Sequence, residues 1–320
     1  MHNFTSQETT ALLPFDRLIE ALRVGFSEGC EVPVRHHHTI DVPGEAAATL
    51  LLMPSWHKAA RASRYLGIKI VTVFPGNSKR HLPGLTSSYM LYDAQTGLQL
   101  AMLDGNTITS RRTVAASALA AHYLARKDAN RLLVLGAGRV ASLIPDAYRA
   151  VRPLERVAIW NVNRTKAERL AESVEASGIA AEVVDDLEKA VAESDMISTA
   201  TLATAPLIEG KWIRPGTHID LIGSFTPTMR EVDDEAICRA SVFIDTGEAL
   251  HEAGDLVQPI KAGLFEASSI KSDLAALCRN NRSARVNGDE ITLYKAVGTA
   301  LADLVAATMV YETSLIRPEK

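Results

Sequence analysis

Two different β patterns in one chain predict an α/β protein with two unlike domains. From about residue 128 onward, short apolar runs alternate with amphipathic stretches. That is the pattern of strands joined by helices in a doubly wound parallel sheet with right-handed crossovers. The first 125 or so residues carry strand-like runs with no helix between them, which predicts an α+β domain rich in antiparallel sheet. A glycine turn, LGAGRVA at 135–141, opens the α/β part.

Within the first part, PFDRLIEALRVGFSEG spaces its apolar residues helically and stops at Gly29. VPVRHHHTIDV, ATLLLMPSW, YLGIKIVTVF, LTSSYMLYD and LQLAMLD read as strands, and DAQTG between the last two is a hairpin turn with Gly97 free to take positive φ. A helix over about 110–127 leads into RLLVLGAG and ERVAIWN, both strands. KAERLAESVEASG is a helix ending near Gly178, and AAEVV, DMISTAT, THIDLIG and SVFIDT are further strands. The tail, LYKAVGTALADLVAATMVYETSL, reads as one long apolar-striped helix.

The bulk numbers narrow the function classes. The 320 residues are 47% apolar and 22% charged, enough to bury a core without disulfides. A net charge of −4 and a pI near 6.2 argue against a nucleic-acid partner, which leaves a basic footprint. No apolar run approaches the roughly 20 residues that span a bilayer, and the N-terminal stretch lacks the build of a signal peptide. Cys30, Cys238 and Cys278 are widely spaced and suit a reducing, cytoplasmic setting with no metal. His36, His37 and His38 fall on a strand; only two of them share a face, too few for a closed metal site.

Gly136, Gly138 and Ala141 form G-x-G-x-x-A after a strand. The first glycine permits a tight turn, the second lets backbone approach a pyrophosphate, and the small third residue lets helix and strand pack. The context makes this a dinucleotide-binding, Rossmann-type domain. Pro145 should kink the helix that follows. The second strand ends at Asn161, with Asn163, Arg164 and Lys166 beyond it and no acid. An NAD site usually places Asp or Glu there for the ribose hydroxyls, whereas NADP requires a cation for its 2′-phosphate. NADPH is therefore the expected cofactor, with NADH possible. Thr165 and Glu168 have capping-box spacing.

Taken together, VPVR (32–35), GIKIVTVF (67–74), DGNTITSRRTVAASALAA (104–121), LGAGRVA (135–141), IWNVNRTKAE (159–168), GTHIDLIGSFTPTMREVD (216–233) and ITLYKAVGTALADL (291–304) resemble the ornithine cyclodeaminase and mu-crystallin family. The resemblance implies a substrate-binding and dimerisation domain, residues 1–125 plus 296–320, around an inserted dinucleotide-binding domain, 126–295. It also implies a homodimer. By position it places the carboxylate-binding cations on Arg35, Lys69 and Arg112. It extends the cofactor site to Thr86, Arg112, Arg139 and Val140, and to Thr201, Ile222, Gly223 and Val297. A guanidinium fork matches a carboxylate, and a lysine adds a point charge. Converging cations repel unless an anion neutralises them, so the set specifies an acid substrate. Lys69, inside an apolar strand, is costly if unpaired.

Deaminases of this family carry an aspartate after the strand HIDLIG, handling the water that attacks the imine. Here the matching residue is Phe225. A phenyl ring cannot activate water, but it can exclude it. The resemblance then points to members that reduce cyclic ketimine acids, Δ1-pyrroline-2-carboxylate to L-proline and its six-membered homologue to pipecolate, with NAD(P)H as hydride donor. Ser224, Thr226, Thr228 or an ordered water are candidates for relaying the proton; a bland alternative makes Phe225 a core residue. Cyclodeamination, alanine dehydrogenase-like chemistry and non-catalytic ligand binding are the competing readings.

Overall fold

The structure, a computed structural model, describes residues 1–58, 64–281 and 283–316. By its contacts the chain divides into two compact units, Met1–Arg112 with Thr299–Lys320, and Thr113–Gly298. The first division falls inside a helix, Gly105–Leu124, whereas the sequence reading put it at residue 125. The last four residues of the C-terminal piece lie outside the described residues.

Unit 1 contains strands β1 (His2–Phe4), β2 (His36–Ile40), β3 (Ala48–Trp56), β4 (Tyr65–Val73), β5 (Leu85–Asp93) and β6 (Gln99–Asp104), in the order β1-β6-β5-β4-β3-β2. All neighbours are antiparallel except β1, which runs parallel to β6. β1 and helix α1 (Ser6–Ala11) were not anticipated, although Thr5 and Glu8 carry the signal. Each side chain caps the other's backbone N–H. Helix α2 (Phe15–Glu28) ends at Gly29 (φ +71) as its spacing predicts. The hairpin turn also forms as expected, with Gly97 at φ +73 and the Asp93 carboxylate accepting from the Gln95 and Thr96 amides. Alternation then sets the buried face: Met53, Lys69, Val71, Tyr89, Leu91 and Leu103 point inward.

Helix α3 (Gly105–Leu124) leads into unit 2. Its strands are β7 (Arg131–Leu135), β8 (Arg156–Trp160), β9 (Ala180–Val183), β10 (Met196–Thr199), β11 (His218–Leu221), β12 (Ser241–Ile244), β13 (Ser272–Asp273) and β14 (Thr292–Lys295). They form one parallel sheet ordered β13-β12-β14-β11-β10-β7-β8-β9. Between them lie α4 (Ile144–Arg149), α5 (Arg164–Ala176), α6 (Leu187–Glu193), α7 (Asp234–Arg239), α8 (Ala249–Glu252), α9 (Gly254–Lys261) and α10 (Leu274–Asn280). Leu133, Ile197, Ile219, Leu221, Val242 and Leu293 are buried in its core.

Three local expectations are corrected. The tail is not one helix: Thr292–Lys295 is a fully buried strand between β11 and β12, and helix α11 (Ala300–Ile316) begins only after Gly298, at φ +83. A four-residue strand is too short for its alternation to stand out from the helical pattern that follows it. Pro145 kinks nothing. A single 3₁₀ turn, Ala141–Leu143, precedes α4, and Pro145 sits in the first turn of α4, where its missing N–H is no loss. The cap of α5 is Asn163, whose side chain accepts from the Lys166 amide at 3.1 Å, and not Thr165.

The C-terminus of α3 is closed by Arg152. Its Nη2 donates to the carbonyls of Ala121, His122 and Ala125 at 2.8–2.9 Å, and its Nε donates to Arg126 O at 2.7 Å. Ala121 O also accepts from the Ala125 amide and Arg126 O from the Ala129 amide, whereas among the described residues no backbone amide donates to the carbonyls of His122 and Ala125. Arg152→Met should therefore lower unfolding free energy by about 2–4 kcal/mol, the cost of leaving those two acceptors unpaired, measured by urea denaturation.

Candidate active-site groups in each unit

The row Leu135–Thr199–Leu221–Lys295 crosses the sheet of unit 2 at the C-terminal ends of its strands. The expected cofactor residues other than Thr86 and Arg112, which lie in unit 1, follow strand ends on this side. Gly136, Gly138, Arg139 and Val140 follow β7; Asn161, Asn163 and Arg164 follow β8; Thr201 follows β10; Ile222 and Gly223 follow β11; Val297 follows β14. The chain runs β7-β8-β9 in one direction, then crosses to β10 on the other side of β7. Open α/β sheets bind ligands at that reversal.

The turn after β7 fits a pyrophosphate. Gly136 takes φ +112, and a Cβ there would meet Ala200 O at 2.7 Å. At Gly138 a Cβ would meet nothing within 4 Å, so the backbone borders open space. Among the described residues, the amides of Gly138, Arg139 and Val140 donate to no backbone acceptor. Consecutive free N–H groups make an anion nest.

Other positions are engaged within the unit. The Asn161 side-chain amide donates to Asn163 O at 2.9 Å, and the Val297 amide donates to Asp245 Oδ2 at 2.9 Å. Thr201 donates from both N and Oγ1 to Glu231 Oε1. Arg164, 56% exposed, is held by Asp185 at 2.5 Å and by Glu168 at 3.0 Å.

The relay candidates fare differently. Ser224 is buried at φ +55, donating its proton to Met229 O at 2.7 Å and accepting from the Asp255 amide at 3.0 Å. Its hydroxyl is directed inward and satisfied, which corrects the expectation of a relay there. The Thr226 and Thr228 hydroxyls pair with each other at 3.3 Å. Phe225 is 48% exposed, so it is not a core residue.

In unit 1, Lys69 lies mid-strand on β4, opposite Met53 and Tyr89, and is 3% exposed. Its Nζ is 2.7 Å from Asp303 Oδ2, and Arg112 Nε donates to Asp303 Oδ1 at 2.7 Å. Burial pulls the Lys69 ammonium down to about 8; Asp303 opposes this, while Arg112 and Arg35 add to it. Arg35 is thus close enough for its charge to be felt. Burial alone would raise the Asp303 carboxyl, but Arg112 and Lys69 outweigh it and leave it below the ordinary range. Thr86, exposed on β5, shares a 2.8 Å hydrogen bond with Thr72 across the sheet.

Asp303 amends the sequence argument. An internal carboxylate, and not a ligand alone, balances part of the positive charge. The reading missed it, although a single acid within TALADLVAA was a usable signal. The other cations still exceed it, so the cluster remains suited to an acid.

A doubly wound sheet with an anion nest, and a separate fold carrying buried cations, are the marks of a dinucleotide-binding protein with a place for a small acid. The chain belongs to the ornithine cyclodeaminase/mu-crystallin family, which it matches over residues 5–316. It is 45% identical to an uncharacterised Schizosaccharomyces pombe protein, over 97% of this chain and 96% of that one. It is 37% identical to a Δ1-pyrroline-2-carboxylate reductase of Colwellia psychrerythraea, over 98% of this chain and 99% of that protein. A structure of the Thermococcus litoralis Δ1-pyrroline-2-carboxylate reductase with NADH and L-proline superposes with a TM-score of 0.91 at 33% identity, covering 99% and 98% of the two chains.

Removing the internal anion should expose the repulsion it screens. Asp303→Asn should destabilise the protein by about 3–5 kcal/mol, as for a broken buried pair. Millimolar L-proline should raise its melting temperature more than that of the parent. Equal shifts in both proteins would show that Asp303 does not balance these cations.

Proposed function

We propose that the protein is a NAD(P)H-dependent reductase of cyclic ketimine acids, converting Δ1-pyrroline-2-carboxylate to L-proline. The observation that carries this reading is Phe225, which stands half-exposed after β11 at the position where the family's deaminases carry an aspartate. A side chain that excludes water without activating it favours reduction of an imine over its hydrolysis. Reductases of this name among the relatives, at 37–40% identity, support the same conclusion.

In this reading unit 2 binds the dinucleotide, with the free amides of Gly138, Arg139 and Val140 on the pyrophosphate. Unit 1 binds the substrate and forms the dimer. A bound reduced nicotinamide supplies a hydride to C2 of the ring C=N. Arg112, Arg35 and Lys69 hold the substrate carboxylate, and orientation of this kind contributes much of the acceleration. With Ser224 committed inward, Lys69 is the better proton donor. Its ammonium, held near 8, gives a proton to the ring nitrogen and is recharged from water, so the product gains one C–H and one N–H bond. NADPH is the preferred cofactor, because no acid follows β8 and Arg164 does. Its partners Asp185 and Glu168 are exposed, and such pairs contribute only about 0–1 kcal/mol. A 2′-phosphate can displace them.

The direct test is loss of reduced-nicotinamide absorbance on adding Δ1-pyrroline-2-carboxylate, with NADPH and NADH in parallel. No turnover with either would reject the reading. Lys69 is charged below about pH 8, so kcat/KM for reduction should hold steady below that pH and fall above it. Lys69→Met should lower kcat/KM by about 10²-fold or more and abolish that limb. Asp185→Asn should lower the KM for NADPH a few-fold and leave that for NADH unchanged; unchanged values for both would remove Arg164 from the phosphate site.

A further inference from the structure

Behind the loop that follows β11 lie three charged side chains with no exposure, Glu231, Asp255 and Lys295. Lys295, at the end of β14, donates to Leu221 O at 3.1 Å and to Gly223 O, with Asp255 Oδ2 3.5 Å away. Asp255 Oδ1 accepts from the amides of Glu231 and Val232 at 2.8 and 3.2 Å, while its own amide donates to Ser224 Oγ. Glu231 accepts from Thr199 Oγ1 and Thr201 Oγ1, both at 2.7 Å, and from Thr201 N at 2.9 Å. It also packs against the Cα of Gly223 so closely that any side chain there would overlap its carboxylate. That, and not a special φ, is what requires glycine at 223.

Burying charges is expensive, several kcal/mol for each ion, and apolar packing would hold strands together at less cost. The grip falls on the segments leaving β10 and β11, beside the cofactor turn of β7. It also holds Ser224 in a left-handed conformation that a serine does not adopt unaided, and so sets where Phe225 stands. We propose that Glu231 and Lys295 are positioning residues for the reduction. They act through Gly223–Phe225 and Thr199–Thr201, holding the backbone that would bear on the reactive end of the dinucleotide. The proposal rests on the reductase reading above. Burial pushes the Glu231 carboxyl above its ordinary range, with Lys295 opposing and Asp255 adding to the shift.

The test compares Glu231→Gln, Thr199→Val and Thr199→Ser with the parent by thermal melting, hydrogen–deuterium exchange, NADH binding and steady-state kinetics. Glu231→Gln should melt cooperatively, exchange faster in peptides covering 199–203 and 222–232, and lose about 10–100-fold in kcat, as for a small misplacement of reacting groups. Substrate KM and NADH affinity should stay within about two-fold, a split that a general loss of structure would not give. Thr199→Val should lose several-fold in kcat and Thr199→Ser should recover it. If Glu231→Gln does not fold, the two Thr199 variants decide, since Thr199→Val removes one bond to the same carboxylate, Thr199→Ser keeps it, and both leave every charge in place. Parental kcat in folded variants, or parallel losses in kcat and NADH affinity, overturn the proposal. Should the parent itself show no turnover, the reductase reading fails separately. Exchange then decides the grip: unchanged protection in the variant would overturn it.

Discussion

A charge taken out of water must find its partner within the fold, and in each unit the partners come from segments far apart in sequence. Asp303 and Arg112 are separated by 191 positions, yet their side chains meet at 2.7 Å. Through that carboxylate, α11 is fastened to β4 and α3, so the cations cannot be placed without the helix. In unit 2 the same constraint joins β14 to the loop after β11. In the first cluster, replacing Asp303 would leave Lys69 and Arg112 indoors without their shared counter-charge.

The parallel sheet makes this economical in space. Its register brings Leu135, Thr199, Leu221 and Lys295 into one row, so every loop beyond that row leaves from the same edge. A turn that frees amides, a loop that ends in phenylalanine and a buried lysine then become neighbours by topology. The bulky apolar residues of the strands make the edge rigid, and the loops supply the chemistry.

Much of this was legible beforehand. The five antiparallel runs of unit 1 are strand-like stretches with no helix between them, and several strands of unit 2 are bounded by glycine, so much of both sheets followed from pattern. The glycine turn and the cation set followed from motif and resemblance. What escaped had physical reasons. β14 is only four residues long and is followed closely by the apolar helix α11, so no period separates the two. Glu231 and Asp255 are ordinary acids in sequence; only burial and the nearness of a distant lysine make them informative. Ser224 looked like an available hydroxyl because nothing local shows that Met229 and Asp255 already occupy it.

The placement of β14 bears on how the chain is made. β11 and β12 both pair with a strand that follows β12 by nearly fifty positions, so they leave the ribosome with a gap between them and no means of closing it. Until residues 292–295 arrive, two apolar edges stand open, and unpaired edges of this kind invite association with other chains. The parallel sheet therefore cannot close until those residues are made, however early its other strands pair.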